Sequence, residues 1–151
     1  MKLKNKQPKA QGSLNSVALV TGASRRIGAA IARALHQSGF RVAIHCHQTI
    51  AIANQLAQEL NANRPESALV VSYDLRESQS ADLLIDAVIN WAGYLNVLVN
   101  NASVFEPSSL TISDVSFYER LYAVNVYAPW RLSLKARPWL AQERGNIVNI
   151  T

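Results

Sequence analysis

The stretch "TGASRRIG", residues 21–28, lies between a short apolar run and an alanine-rich segment. The preceding run, "SVALV" (16–20), is typical of a buried β-strand, and "GAAIARALHQSG" (28–39) has the spacing of an α-helix that ends at Gly39. A tight turn between a strand and a helix gathers backbone N–H groups at the helix N-terminus, where a phosphate binds well. The stretch therefore predicts a strand–turn–helix unit that binds a nucleotide.

An arginine, Arg26, occupies the place in this turn where a central glycine would be expected. Gly22 and Gly28 remain to supply the tight turn and the close approach of helix and strand. No Gly-Lys-Ser/Thr follows, so the spacing does not fit a P-loop. Two interpretations of Arg26 stay open at this point: an exposed arginine at a helix start, or a guanidinium that reaches a ligand.

The rest of the chain repeats the alternation of apolar runs and helical segments. Further strands are predicted at 41–45, 67–74, 95–102 and 145–151, and further helices at 49–63, 80–93 and about 113–142. Ser80 is the expected N-cap of one helix, Gly93 its C-terminal stop, and Pro129 a possible kink in the last. Short apolar strands alternating with helices predict a parallel, doubly wound α/β sheet of the Rossmann type, cut off after its fifth strand.

The chain is basic, but its charge is unevenly placed. It has 151 residues and a net charge of +5, and four of its 15 basic residues, Lys2, Lys4, Lys6 and Lys9, lie in the first ten positions. We interpret residues 1–16 as a disordered basic leader rather than an arm for nucleic acid, and residues 17–151 as one dinucleotide-binding domain.

Two further features bear on compartment and partners. Cys46 is the single cysteine, which fits a reducing cytoplasm. No apolar run approaches the roughly 20 residues of a membrane span. We therefore expect a cytoplasmic protein with a small-molecule partner and neither nucleic acid nor membrane as a partner.

The end of the second predicted strand, "HCHQT" (45–49), contains no acid. An acid there would bind a ribose 2′-hydroxyl, whereas neutral or basic donors suit a 2′-phosphate. Arg25 lies in the neighbouring turn and could pair with that phosphate. The pattern favours NADP(H). His45 and His47 could equally be a partly buried strand histidine and a loop histidine, and no metal site is predicted.

Several motifs together resemble those of the short-chain dehydrogenases/reductases. They are "TGASRRIG", "YDL" (73–75), "NNAS" (100–103) and "VN" (124–125), in that order. The double arginine, "HCHQT", "NANRPESA" (61–68) and "NNASVF" (100–105) are similar to pteridine reductases, which reduce biopterin or folate with NADPH. The resemblance implies the same fold and the same cofactor, NADPH.

The resemblance also implies roles for individual residues. Those implied for the cofactor are Gly22, Arg25, Arg26, Ile27, Gly28, His45, Thr49, Asp74, Leu75, Asn101, Ala102 and Ser103. Arg26, Ser103 and Phe105 are implied for the pteridine, with Phe105 stacking on it, and Asn125 for catalysis. Plain structural roles stay open for each: loop packing for Phe105, a turn serine for Ser103, a turn cap for Asp74.

Two departures from the family pattern limit what the resemblance implies. Gln48 stands where many pteridine reductases have an arginine, so the 2′-phosphate is expected to depend on Arg25, His45 and Thr49. The family's catalytic Tyr-x-x-x-Lys does not occur in this sequence. The alternatives are the N-terminal part of a pteridine reductase, tetrameric when full length, an inactive NADP(H)-binding remnant, a general carbonyl reductase, or a non-functional truncation product.

Overall fold

The computed structural model describes residues 16–107 and 114–151, so most of the predicted leader and the expected helix start near Ser113 lie outside the described residues. The strands in these ranges are Val17–Val20 (β1), Arg41–Cys46 (β2), Ala68–Ser72 (β3), Val97–Asn100 (β4) and Asn146–Asn149 (β5). The α-helices are Arg26–Gln37 (α1), Ile50–Asn63 (α2), Ser80–Ala92 (α3), Val115–Tyr122 (α4) and Ala128–Glu143 (α5).

The strands form one parallel sheet in the order β3-β2-β1-β4-β5. β1 lies in the middle, where Leu19 pairs with Ala43 on one side and with Leu98 on the other. The strand order reverses direction at β1, and ligands of such sheets bind in the crevice beyond the carboxyl ends of the strands at this point. The predicted doubly wound α/β fold is confirmed.

Helices cover both faces of the sheet because successive side chains of a buried strand point to opposite sides. Leu19 faces the layer formed by α3 and α5, where it joins a cluster with Leu84 and Leu132. Val20, the next residue, faces α1 and α2 and joins the cluster that contains Leu56. The apolar strands are thus sealed from water, and polar groups collect at the strand ends.

The long predicted helix is interrupted. A π-helical turn, Ala123–Tyr127, separates α4 from α5, and Pro129 is the second residue of α5. The missing N–H of a proline falls where the regular ladder is already broken, so Pro129 costs little there. Ser80 is the first residue of α3 rather than its N-cap, because its hydroxyl donates to the backbone oxygen of Asp74. Gly93 ends α3 in the left-handed conformation, as predicted.

Across the described ranges, the longest and most apolar helices still fall short of what crossing a membrane requires.

Candidate functional site

The turn after β1 leaves no room for side chains at its two glycines. Gly22 has φ +61°, and a Cβ there would lie 2.9 Å from the Cα of Ala102. A Cβ on Gly28 would lie 2.4 Å from the backbone oxygen of Gly22 and 2.6 Å from the Nδ2 of Asn101. Helix α1 can therefore approach the β1 and β4 loops closely only because residue 28 is glycine.

Arg26 has a backbone conformation that favours glycine. It is the first residue of α1, and its φ is +52°. This left-handed region costs an ordinary residue about 1–2 kcal/mol, whereas glycine enters it freely. The exposed side chains of Arg25 and Arg26 both border the cleft beyond the turn.

A threonine and an asparagine fasten the glycine turn to the loop after β4. Thr21 Oγ1 accepts the backbone N–H groups of Asn101 and Ala102 at 2.9 and 3.0 Å. Asn101 Nδ2 donates to the backbone oxygens of Thr21 and Gly22 at 2.8 and 3.2 Å. Sequence reasoning assigned no role to Thr21, although a hydroxyl directly before the turn glycine was a signal for this contact.

His45 acts inside the turn and does not point a free nitrogen at a ligand. It is 2% exposed, its Nδ1 accepts the N–H of Gly22 at 3.2 Å, and its Nε2 donates to the backbone oxygen of Tyr73 at 3.0 Å. Burial lowers the pKa of His45 from 6.5 to about 4. Both ring nitrogens of His45 are thus occupied within the protein and the ring is neutral at pH 7, and the part expected of His45 in binding the 2′-phosphate stays a prediction.

The ends of β2 and β3 lie side by side and carry most of the charged groups at one end of the cleft. Thr49 Oγ1 lies 2.6 Å from the hydroxyl of Ser24, which ties the loop after β2 to the glycine turn. The carboxylate of Asp74, after β3, accepts hydrogen bonds from Arg76, which holds the pKa of Asp74 below its usual value. This end of the cleft thus has two arginines, Arg25 and Arg76, and one carboxylate.

The opposite end is formed by the loop after β4 and the π-helical turn. Asn125, in that turn, exchanges two hydrogen bonds with the backbone of Val104, each 2.9 Å long. Ser103 borders the cleft, whereas Phe105 is 87% exposed and does not line it. The structure therefore brings Ser103 to the predicted site and leaves Phe105 and the Asn125 side chain at its margin.

These elements enclose a cleft of about 550 Å³ at the carboxyl ends of the strands. A volume of this order is typical of small-molecule and cofactor sites. All residues predicted to bind the cofactor line it, namely Gly22, Arg25, Arg26, Ile27, Gly28, His45, Thr49, Asp74, Leu75, Asn101, Ala102 and Ser103. Within the described ranges, no His, Cys, Asp and Glu side chains are grouped so that they could hold a metal ion.

Several known proteins are similar to this chain in architecture and in sequence. The chain is 42% identical over 115 residues to pteridine reductase 1 of Leishmania tarentolae, a match that covers 65% of this chain and 40% of that protein. It is 34% identical over 137 residues to a 3-oxoacyl-[acyl-carrier-protein] reductase of Synechocystis, covering 89% and 55% of the two chains. The crystal structure of FolM alternative dihydrofolate reductase 1 from Brucella canis, complexed with NADP, superposes with a TM-score of 0.82 at 34% identity, covering 90% of this chain and 55% of that one.

The chain thus spans about half the length of the relatives it matches. A model of one family, described as short chain dehydrogenase, matches residues 16–151, which include every strand and helix described above. With the glycine turn, the parallel sheet and the cleft at its switch point, this match shows that the chain belongs to the short chain dehydrogenase family.

Proposed function

We propose that this chain forms the cofactor-binding part of an NADPH-dependent reductase of pteridines of the dihydrobiopterin or dihydrofolate type. The observation that carries the proposal is the cleft itself. It joins a glycine turn at a helix N-terminus to a strand end, "HCHQT", that has basic and neutral groups and no acid. The similarity to a pteridine reductase and to a dihydrofolate reductase solved with NADP supports the same function.

The dinucleotide fits the residues present. The close packing that Gly22 and Gly28 allow brings the start of α1 to the carboxyl end of β1, where its backbone N–H groups would meet the pyrophosphate. Asp74 and Leu75 would hold the adenine, and Arg25 with Thr49 the 2′-phosphate. NADPH would supply a hydride when bound, and the glycine turn and the loop after β4 would hold its nicotinamide end.

The pteridine is assigned to the end of the cleft beside Arg26 and Ser103. The planar guanidinium of Arg26 offers several donors in one plane, which suits both a phosphate and a flat, polar heterocycle. Phe105 would stack on the pterin, which requires its exposed ring to move against the ligand. Asn125 supports this end by holding Val104, so that Ser103 and Phe105 are presented from a fixed loop.

The cofactor assignment is tested by titrating residues 1–151 with NADPH and with NADH and following cofactor fluorescence. We expect NADPH to bind more tightly, and Arg25→Ala to weaken NADPH selectively by about 1–3 kcal/mol through the loss of a charge-assisted pair. Equal or reversed affinity in the unsubstituted chain would contradict NADPH dependence.

The substrate assignment is tested by NADPH oxidation with dihydrobiopterin, dihydrofolate and a simple carbonyl compound. The protein is expressed with any coding sequence that follows Thr151 in its gene. We expect Arg26→Ala and Phe105→Ala to reduce pteridine turnover more than carbonyl reduction. Equal losses would favour a general carbonyl reductase, and binding of NADPH without any turnover would favour a binding module.

The proposal extends to location and assembly. A reducing cytoplasm suits the single cysteine, Cys46, which is a buried free thiol. A homo-oligomer of the full-length form is supported by exposed apolar side chains along α4 and α5, for example Trp130 at 60% exposure.

A further inference from the structure

Arg76 holds the carboxylate of Asp74 at the cofactor end of the cleft, and sequence analysis gave it no role. Its Nε lies 3.0 and 2.9 Å from the two oxygens of Asp74, and its Nη2 lies 2.6 Å from Oδ2. The backbone N–H of Arg76 also donates to Asp74 Oδ1 at 3.0 Å. His47 Nε2 lies 3.6 Å from the same carboxylate. The pair is thus a forked, charge-assisted contact at the wall of the cleft.

The position of Asp74 would place a negative charge close to the 2′-phosphate of a bound cofactor. β2 and β3 are adjacent and parallel, so the residues after β2, including Thr49, lie beside those after β3. The lowered pKa of Asp74 keeps its carboxylate ionised at neutral pH. An unpaired negative charge beside a 2′-phosphate is repulsive, whereas it is neutral or favourable toward a 2′-hydroxyl.

We propose that Arg76 is a specificity-determining residue for the 2′-phosphate, because its pairing with Asp74 cancels the carboxylate charge at this end of the cleft. Arg76 acts through Asp74 and is therefore a positioning residue. The inference rests on the proposed NADPH binding. It adds a residue on the loop after β3 to the residues proposed to bind the 2′-phosphate, Arg25 on the glycine turn and Thr49 after β2.

The test compares two fragments of the cofactor, 2′,5′-ADP and 5′-AMP, by isothermal titration calorimetry. They share the adenosine and the 5′-phosphate, so the ratio of their dissociation constants isolates the 2′-phosphate. We expect Arg76→Ala to weaken 2′,5′-ADP by about tenfold relative to 5′-AMP, and Arg76→Lys to restore most of the ratio. Arg33→Ala is the matched control, because Arg33 makes a similar forked pair with Glu59 away from the cleft.

A double variant separates charge cancellation from direct contact. In Asp74→Asn/Arg76→Ala both charges of the pair are gone, so the net charge at this position is zero, as in the unsubstituted chain, and the ratio should return to that of the unsubstituted chain. The proposal is overturned if the double variant binds 2′,5′-ADP as weakly, relative to 5′-AMP, as Arg76→Ala does. Arg76 would then act on the phosphate itself. An unchanged ratio in Arg76→Ala alone would also overturn it. If the unsubstituted chain shows no preference for 2′,5′-ADP, the proposed NADPH binding itself fails. If the unsubstituted chain has the preference and Arg76→Ala keeps it, only the role of Arg76 fails.

Discussion

At the scale of single residues, Gly28 is packed so closely that a side chain does not fit there. A Cβ at this position would meet the backbone of Gly22 and Ala23 and the side chain of Asn101, all within 2.8 Å. Backbone atoms on two sides cannot yield as a flexible side chain can. We therefore expect Gly28→Ala to destabilise the protein by about 1–3 kcal/mol and to loosen dinucleotide binding.

Urea unfolding and NADPH titration measure the two effects of Gly28→Ala. The control is Gly93→Ala, because Gly93 has φ +85° but no neighbouring atom within 4 Å of an added Cβ. It should show the cost of its backbone conformation, about 1 kcal/mol, with unchanged cofactor affinity. A smaller loss of stability at Gly28 than at Gly93 would contradict the close packing described here.

His45 makes the glycine turn sensitive to acid. Its pKa is about 4 in the folded protein against 6.5 unfolded, so the unfolded chain takes up the proton first as the pH falls. The free energy of unfolding therefore has its full value above about pH 6.5. As the pH falls toward 4, protonation of this group in the unfolded chain lowers that free energy by about 3 kcal/mol. His36 is also buried, and its lowered pKa adds to the loss in the same direction.

The measurement is urea unfolding between pH 7 and pH 4.5. His45→Asn should flatten part of the pH dependence, because an amide oxygen can still accept the N–H of Gly22 and does not titrate. Gln48→Ala, a change at an exposed and non-titrating position of the loop that follows, should retain the full slope. Equal slopes for the His45 variant and the unsubstituted protein would remove His45 as the cause.

At the scale of elements, the π-helical turn and the loop after β4 stabilise each other. The reciprocal hydrogen bonds between Asn125 and Val104 are the side-chain contact that joins them. We expect Asn125→Ala to raise the amide hydrogen-exchange rate of Val104 by about fivefold, since a net hydrogen bond is worth about 1 kcal/mol. Asn63→Ala, which removes a contact within α2, should leave that rate unchanged. Unaltered exchange at Val104 in the Asn125 variant would show that the loop is held by other contacts.

The elements themselves follow from local patterns, whereas the site depends on contacts distant in sequence. Apolar strands, the glycine turn and the Gly93 helix stop each carry their own signal, and all were predicted. The hydrogen bonds of His45 could not be predicted, because its partners Gly22 and Tyr73 lie 23 and 28 residues away. The π-helical turn was not predicted either, because Pro129, the residue expected to kink the long helical region, lies two residues beyond the turn.

At the scale of the whole molecule, one face of the helical layer remains apolar and exposed. The side chains of this apolar stripe recur every three or four residues along α4, the π-helical turn and α5: Val115, Tyr118, Tyr122, Val126, Trp130 and Leu134. Exposed apolar surface of this extent is typical of a protein–protein contact. A second copy of the chain is the proposed occupant, by extension of the homo-oligomer that is expected of the full-length form.

Sedimentation velocity tests the role of the apolar stripe. We expect Trp130→Arg to weaken self-association by at least about tenfold, because a buried aromatic is commonly a dominant contact in interfaces. Ile52→Arg is the control: Ile52 is also exposed but lies on α2, on the opposite face of the sheet. Association that persists in the Trp130 variant would place the interface elsewhere.

The left-handed conformation of Arg26 has a consequence for how such a turn can arise and be lost. A glycine codon of the form GGN becomes an arginine codon, CGN, by one base substitution. At most positions that require positive φ the change would be selected against, since it costs about 1–2 kcal/mol without return. Where the new guanidinium contacts a ligand, a single mutation lowers folding stability and at the same time adds a group that binds the ligand. Lineages released from the need for that ligand would be expected to drift back to glycine at residue 26 and gain stability.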